Sequence, residues 1–119
     1  MARVADYSII VDDWISEKSV DTRNFTVPDN IHPSSRSILS FMFDADSDDG
    51  VTVNVRLNGA LVWTWTANSG DSRPVRFFQE VVAAGVVKPG ENVFSYNSSS
   101  SDSRTIRFSD VVLFWQASI

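Results

Sequence analysis

Trp63 and Trp65 stand one residue apart in the segment ALVWTWTA (60–67), and Asn54 and Arg56 lie shortly before them in the chain. The face of an indole ring can pack on the apolar C–H face of a pyranose, while amide and guanidinium groups hydrogen-bond its hydroxyls. These four side chains would therefore suit a carbohydrate site, provided that the fold brings them to one surface in contact with solvent.

The dipeptide Asn58-Gly59 separates the two runs and is a strong signal for a two-residue β-hairpin turn. In that register Asn54 lies opposite Trp63, and Thr52 lies opposite Trp65. Directly opposed residues share one face of a sheet. Both indoles would then stand on the polar, outward face of the hairpin.

A three-residue turn with a bulge gives the opposite result. Val55 then lies opposite Trp63 and Val53 opposite Trp65, so both indoles turn inward, because a slip of one residue exchanges the two faces. The larger side chains of this run, Leu61 and the two tryptophans, share one parity, and large aromatic residues are usually buried. These preferences favour the core, and the sequence leaves both registers open.

The acidic segment DADSDDG (44–50) places four carboxylates in seven residues. Hard cations such as Ca²⁺ take several oxygen ligands, but the EF-hand pattern requires glycine at its sixth position and glutamate at its twelfth. Counted from Asp44, those positions hold Asp49 and Val55. A looser Ca²⁺ site is one interpretation, and a solvated turn is favoured because turns recruit aspartate. We therefore expect no cofactor and no metal ligands.

Catalytic chemistry has little support. His32 is the only histidine and the chain has no cysteine, so a zinc site or a triad would lack partners. Two carboxylates such as Glu80 and Glu91 could in principle cleave a glycoside, but nothing in their spacing singles out a pair. We expect the protein not to be an enzyme.

Composition is that of an acidic, cysteine-free globular protein. The 119 residues carry a net charge of −5, with 43% hydrophobic residues, and residues 1–119 are expected to form one domain. Scattered basic residues disfavour nucleic acid as a partner. Apolar runs such as VVLFW are too short to span a bilayer, and no signal peptide is visible, so we expect a cytoplasmic location or export by a non-classical route.

Short β-branched and aromatic runs alternate with turn residues along the chain, and no long helical pattern interrupts them. Seven or eight such strands predict an all-β sandwich or barrel. The segment VVAAGVVKPG (81–90) is ambiguous between a short helical turn and an extended crossing. The predicted runs cover 3–11, 22–28, 36–45, 51–57, 60–67, 75–80, 91–97 and 104–117.

The last run, RTIRFSDVVLFWQA (104–117), is apolar on both parities. Such a strand is either central and covered on both faces, or bulged so that its parity switches. Asp110 in the middle indicates the bulge, because a short carboxylate can accept the backbone N–H groups that a bulge frees.

The segments VNVRLNGALV, VVKPGENVFSY and IRFSDVVLFWQ together resemble the galactose-binding-like jelly rolls, β-sandwiches found as carbohydrate-binding modules and as sugar-binding domains of glycosidases. The resemblance covers residues 51–116 and rests on turn motifs, so it implies an antiparallel jelly-roll fold more directly than a function. Pro89 and Gly90 indicate a type II turn at the start of the strand ENVFSYN.

Two functions follow as expectations. The first is a non-catalytic carbohydrate-binding or lectin-like module that stacks a sugar on Trp63 or Trp65, with help from Arg56 or Asn54. The second is a structural protein, a homo-oligomer that self-associates through strand edges or faces in a surface array, filament or virion. The polar loops 27–37, 68–73 and 97–104 could also carry function if they share one end of the sandwich.

Overall fold

The computed structural model describes residues 3–12, 15–17, 20–32, 34, 36–45, 52–66, 76–98 and 106–118. Within these ranges the chain forms strands and turns, with no helix long and apolar enough to cross a membrane. The strands are β1 Arg3–Val11, β2 Ile15–Glu17, β3 Val20–Val27, β4 Ser37–Ala45, β5 Thr52–Leu57, β6 Ala60–Thr66, β7 Arg76–Val82, β8 Gly90–Ser98 and β9 Ile106–Ser118.

Two antiparallel sheets pack face to face. The five-stranded sheet has the order β1-β9-β4-β7, with β2 also paired to β9, and the four-stranded sheet has the order β3-β8-β5-β6. Most neighbours in each sheet are distant in sequence, as in a jelly roll. The predicted all-β sandwich of jelly-roll type is confirmed.

Alternating side chains explain why these segments form strands. In β5, Val53, Val55 and Leu57 are fully buried between the sheets, whereas the intervening polar residues are only half-buried. A strand with one apolar and one polar face gains stability only when a second sheet covers the apolar face. The sandwich is therefore the arrangement that this alternation requires.

Aromatic rings fill the middle of the core. Their centroids lie 5.0 to 6.5 Å apart in mostly edge-to-face and tilted pairs. Each such pair contributes about 0.5–1.5 kcal/mol beyond burial of its area. The rings belong to Phe41, Phe43, Trp63, Phe78 and Phe108.

Strand β9 switches parity at Asp110, as predicted. Asp110 has a φ of 51°, and the pairing of β9 with β4 shifts at this point. Phe108 and Val111, three residues apart, are consequently both buried in the core. The Asp110 carboxylate accepts a 2.5 Å bond from the Ser109 hydroxyl rather than from the backbone N–H predicted for it.

The boundaries of three segments differ from the sequence prediction or resolve it. β2 was not predicted, because a three-residue strand has too few residues to show a period. The ambiguous segment 81–90 divides into the end of β7, at Val82, and turns that lead to β8. Gly90 begins β8 with a φ of 88°, the positive value that a type II turn requires.

Of the polar loops 27–37, 68–73 and 97–104, only the first lies largely within the described residues. β3 ends and β4 begins at the end that carries the Asn58-Gly59 turn, which we call the hairpin end, so the described residues between these strands, 28–32, 34 and 36, lie there. β6 and β8 both start at the hairpin end and finish at the opposite one. Loop residues 68–73 and 99–104, which follow these two strands, lie outside the described residues.

Candidate functional site

The β5–β6 hairpin combines the two registers that the sequence left open. Asn58 and Gly59 form a two-residue turn with φ values of 51° and 83°, and Leu57 pairs with Ala60 across it. One step further along the ladder, Val62 is an extra residue on β6, so the next pair joins Val55 to Trp63. The tight turn is therefore followed by a β-bulge, which is common on edge strands such as β6.

The bulge moves both indoles to the inner face. Trp63 is only 8% exposed and its ring contacts Phe41 and Phe43 at centroid distances of 5.0 and 5.2 Å. Trp65 is half-buried and packs edge-on against Phe43. The expectation that a two-residue turn would leave both rings on the outward face is wrong, because the bulge reverses parity immediately after the turn.

Asn54 and Arg56 lie on the other face of the four-stranded sheet. The Arg56 guanidinium donates a 2.8 Å bond to Asn97 Oδ1, and the Thr64 hydroxyl donates a 2.8 Å bond to Asn54 Oδ1. These residues form a polar outer surface that spans β8, β5 and β6. The structure thus brings Asn54 and Arg56 together but separates them from the indole faces.

A shallow groove of about 360 Å³ runs between β6 and β7, where the open edges of the two sheets meet. Leu61, Val62, Trp63 and Thr64 line one side, and Glu80 lines the other. Thr64 also bonds Asn54, so the groove is continuous with the polar outer surface. One of the four predicted side chains, Trp63, lines the groove, and two others lie beside its rim.

Sequence reasoning considered Glu80 only as one of a pair of catalytic carboxylates. In β7 it shares its parity with Phe78 and Val82, which face the core, and it pairs with the buried Leu39. An inward-pointing charge on an edge strand can serve simply to discourage edge-to-edge pairing. The charge of Glu80 at an inward position was a signal for a site. The sequence did not show that β6 would lie opposite Glu80 across the groove.

A second cavity of about 200 Å³ lies at the hairpin end, between the turn 28–36 and the turn 83–89. Ile31, Val87 and Pro89 supply apolar walls, and His32 and Lys88 supply polar groups. His32 Nδ1 lies 3.3 Å from the backbone N–H of Ser34 and 3.1 Å from its hydroxyl. None of the described residues that line this cavity carries an indole or phenyl ring.

The carboxylates and the histidine that the sequence offered for catalysis or metal binding lie apart in the described part of the chain. Glu91 is exposed on the outer face of the four-stranded sheet, whereas Glu80 faces inward on the other sheet. Among the described residues no three His, Asp or Glu side chains cluster as a metal site would require. Asp44 is paired with Arg107 in an ion pair, and positions 46–50 of the acidic turn lie outside the described residues.

Comparison with known proteins identifies the fold. No protein-family model and no curated protein matches this sequence. Among solved structures, PorU from Porphyromonas gingivalis matches at a TM-score of 0.75 and 11% identity, over 98% of this chain and 13% of PorU. The EclA C-terminal domain, described as a sugar-binding protein, matches at 0.57 and 9% identity, over 95% of this chain and 79% of that one.

A family 35 carbohydrate-binding module from Clostridium thermocellum matches at a TM-score of 0.50 and 16% identity, over 96% of this chain and 98% of the module. A viral VP2 protein and an insecticidal delta-endotoxin share the fold as well. Identities this low establish the sandwich and not its activity. The neighbours thus include sugar-binding domains alongside capsid and toxin proteins.

Proposed function

We propose that this chain is a carbohydrate-binding module without catalytic activity, and that the groove between β6 and β7 holds the sugar. The observation that carries this proposal is the convergence of Trp63, Leu61, Thr64 and Glu80 on one groove. A sugar site needs an apolar surface for C–H groups and a few polar groups placed to fix the hydroxyls. On β6 the adjacent residues Trp63 and Thr64 supply an apolar surface and a polar group, respectively.

Each side chain has a defined part in this proposal. The Glu80 carboxylate accepts bonds from two neighbouring hydroxyls, since an ionised carboxylate is an acceptor with two oxygens. Leu61, more than half exposed, and the accessible edge of Trp63 contact the C–H groups of the ring. The hydroxyl of Thr64 bonds the remaining edge of the sugar.

The polar outer surface extends the groove for a longer chain. Arg56 and Asn54 lie next to Leu61 and Thr64, their partners across the β5–β6 ladder. Each has a polar partner already, so a second sugar unit would exchange or share those bonds rather than satisfy vacant ones. The groove itself is therefore expected to supply most of the affinity, and the outer surface the preference for oligosaccharides over monosaccharides.

The fold neighbours support the choice of ligand class. The EclA domain and the family 35 module are small sandwiches described as binding sugar or carbohydrate, and this chain covers most of the length of each. Their likeness raises the expectation for this fold without identifying a shared site.

A glycan array followed by calorimetry with the best-bound oligosaccharide tests the proposal. Glu80→Gln and Leu61→Ala are each expected to weaken binding about 10-fold or more. The first removes the charge-assisted bonds to the sugar hydroxyls, and the second removes the main apolar contact. Gln79→Ala is the matched control, since Gln79 is exposed on the opposite face of β7 and should leave binding unchanged.

Two outcomes contradict this assignment. Failure to bind any glycan on the array argues against the function. Binding that survives both groove variants but is lost in Lys88→Ala would transfer the site to the hairpin-end cavity.

Self-association is a second candidate function, and a separate observation favours it. The outer face of the five-stranded sheet carries large apolar side chains that no described part of the chain covers. Exposed apolar patches of this kind mark interaction sites.

A further inference from the structure

The outer face of the five-stranded sheet carries most of the exposed large hydrophobic side chains among the described residues. Eight large hydrophobic side chains are exposed among the described residues, and six of them lie on this face with exposures between 40 and 59%. They come from four different strands, so the patch crosses the whole sheet rather than one edge. The six are Tyr7, Ile9, Ile38, Phe77, Val81 and Phe114.

Four of these side chains form a continuous ridge across the sheet. Val81 of β7 pairs with Ile38 of β4, Ile38 pairs with Phe114 of β9, and Phe114 pairs with Tyr7 of β1. Directly opposed residues on neighbouring strands stand side by side on the same face. The ridge therefore runs perpendicular to the strands, across the width of the sheet from β7 to β1.

A trough lies beside the middle of the ridge, two residues further along the strands, and at the two edges of the sheet the same row carries the exposed side chains of Gln79 and Ile9. Ser40 of β4 is its floor, paired on one side with Gln79 and on the other with Val112. Ser40 is only 3% exposed although it points outward, because larger side chains stand around it. Beyond the trough, Phe77 and Met42 form a second, shorter ridge.

The relief of this face does not suit a flat polysaccharide. The rings of Tyr7 and Phe114 are adjacent, with centroids 6.2 Å apart, but their planes are tilted by 47°. A stacking platform needs rings that lie parallel to one surface, and these two rings cannot both do so. A protein surface of matching relief fits better, since side chains can fill the space between tilted rings.

Charge also limits the occupant. The charged groups on this face include the Asp44–Arg107 ion pair at its end beside Met42 and the carboxylate of Asp110, which is exposed at the bulge of β9. An anionic membrane surface would meet the exposed carboxylate of Asp110 on this face, and the chain as a whole carries −5. A largely apolar partner surface fits this face, and a second copy of the face is such a surface.

We infer that this face is a two-fold symmetric interface with a second copy of the chain, in which the ridge of each copy lies in the trough of the other. A two-fold axis lying in the interface, parallel to the ridge and midway between ridge and trough, produces this exchange for both copies at once. The arrangement is a face-to-face packing of sheets like that inside the sandwich.

The available area is that of a stable dimer. The six exposed side chains present roughly 600 Å² of apolar surface, at about half exposure of side chains of this size. Val112, Met42 and Gln79, which lie between them, bring the face close to the ~800 Å² per partner of a standard interface. The inference deepens the self-association candidate and does not depend on sugar binding, because the groove lies at the β6–β7 edge.

Sedimentation equilibrium of the full chain, over a wide range of protein concentration, tests the interface. The unmodified chain is expected at twice the 13.2 kDa mass of one copy. Val81→Lys and Tyr7→Lys, at opposite ends of the ridge, are each expected to raise the dimer dissociation constant about 100-fold or more, because a charge cannot be buried unpaired in an apolar contact. Each also reduces the formal charge from −5 to −4, so weaker association could not come from greater overall repulsion.

Val93→Lys is the matched control, since Val93 is an exposed apolar residue on the outer face of the four-stranded sheet. Its mass should equal that of the unmodified chain, and circular dichroism should show that all three variants stay folded. A further variant, Val81→Thr, keeps the shape of the side chain without adding a charge. It should weaken the dimer only slightly.

A monomeric unmodified chain overturns the inference. So does an oligomer that both lysine variants leave intact, which would keep self-association but assign it to another surface. A monomer that binds insoluble polysaccharide or vesicles through Tyr7 and Val81 would replace the second copy by that occupant.

Discussion

Asn58 Nδ2 donates a 2.8 Å hydrogen bond to Oδ1 of Asn92, and this bond joins the turn of the β5–β6 hairpin to the start of β8. Asn58 also donates to the carbonyl of Val86 and accepts from the N–H of Val93, both at 2.8 Å. Asn92 in turn bonds the N–H and the carbonyl of Lys88. The two turn motifs that suggested the jelly roll in the sequence are thus one connected unit in the structure.

Replacing Asn92 should cost more stability than its small size implies. Asn92→Ala removes a fully buried side chain together with its bonds to the N–H and carbonyl of Lys88 and to the amide of Asn58, so we expect a loss of about 3 kcal/mol or more in the free energy of unfolding. Urea denaturation measures this loss. Asn24→Ala, at an exposed position on β3, is the control and should change stability by about 0.5 kcal/mol or less. Similar effects for the two variants would show that the network contributes little.

The two tryptophans should differ in their contribution to stability. Trp63→Ala removes a buried ring from the aromatic cluster and should cost about 3–5 kcal/mol. Trp65→Ala should cost less, about 2 kcal/mol, because Trp65 is half-buried and its ring packs edge-on against Phe43. Denaturation with near-ultraviolet circular dichroism reports both. Equal losses would contradict the different burial of the two rings.

Asp110 should prefer glycine to alanine as a replacement. At a φ of 51° an alanine Cβ is strained by about 1 kcal/mol, while glycine is not, so Asp110→Gly should be more stable than Asp110→Ala by about that amount. Gln116, exposed on the same strand with an ordinary φ, provides the comparison. There the order should reverse, with glycine less stable than alanine by about 0.5–1 kcal/mol. The same order at both positions would argue against a left-handed residue in β9.

Gly90 tests the backbone of the turn before β8 without steric interference. A Cβ at this position would meet no atom within 4 Å, so a substitution changes only the backbone energy at a φ of 88°. We expect Gly90→Ala to lower the unfolding free energy by about 1 kcal/mol and Gly90→Asn by clearly less, since asparagine tolerates positive φ better. Thermal unfolding of the two variants compares them, and an alanine variant at least as stable as the asparagine one would contradict the turn geometry.

Local chemistry made several features predictable. Asn-Gly sets the turn at 58–59, Pro-Gly sets the turn before β8, and the aspartate in an apolar strand marks the bulge of β9. In each case the residue's own conformational preference decides the structure, and no distant contact is needed. The sandwich followed from the alternation of many short strands.

The position of the indoles could not be predicted in the same way. The bulge at Val62 interrupts the regular strand pairing of β6, which costs free energy. Burial of Trp63 against Phe41 and Phe78 of the other sheet offsets that cost. That balance depends on residues far away in the chain. The groove at Glu80 escaped prediction for the same reason, because β6 and β7 face each other only after the sheets have assembled.

The sequence did contain a sign of the apolar outer face. β9 is apolar on both parities, and the sequence offered a central, twice-covered strand and a bulged strand as alternatives. The structure shows that β9 is central in its sheet and also bulged. Phe114, an apolar residue on the outward face of β9, forms part of the ridge. The alternative of a strand covered on both faces therefore pointed to the surface that we assign to the interface.

Arg3 and Ser118 are paired across the β1–β9 ladder, so the first and last described strands leave the sandwich next to each other. A loop of another protein could receive this sandwich as an insertion without being pulled apart, because the distance between entry and exit is that of two adjacent strands. The same proximity allows the termini to be joined by a short peptide and new ones opened elsewhere. A circular permutant is therefore expected to fold, and it would present the groove or the ridge from a different attachment point.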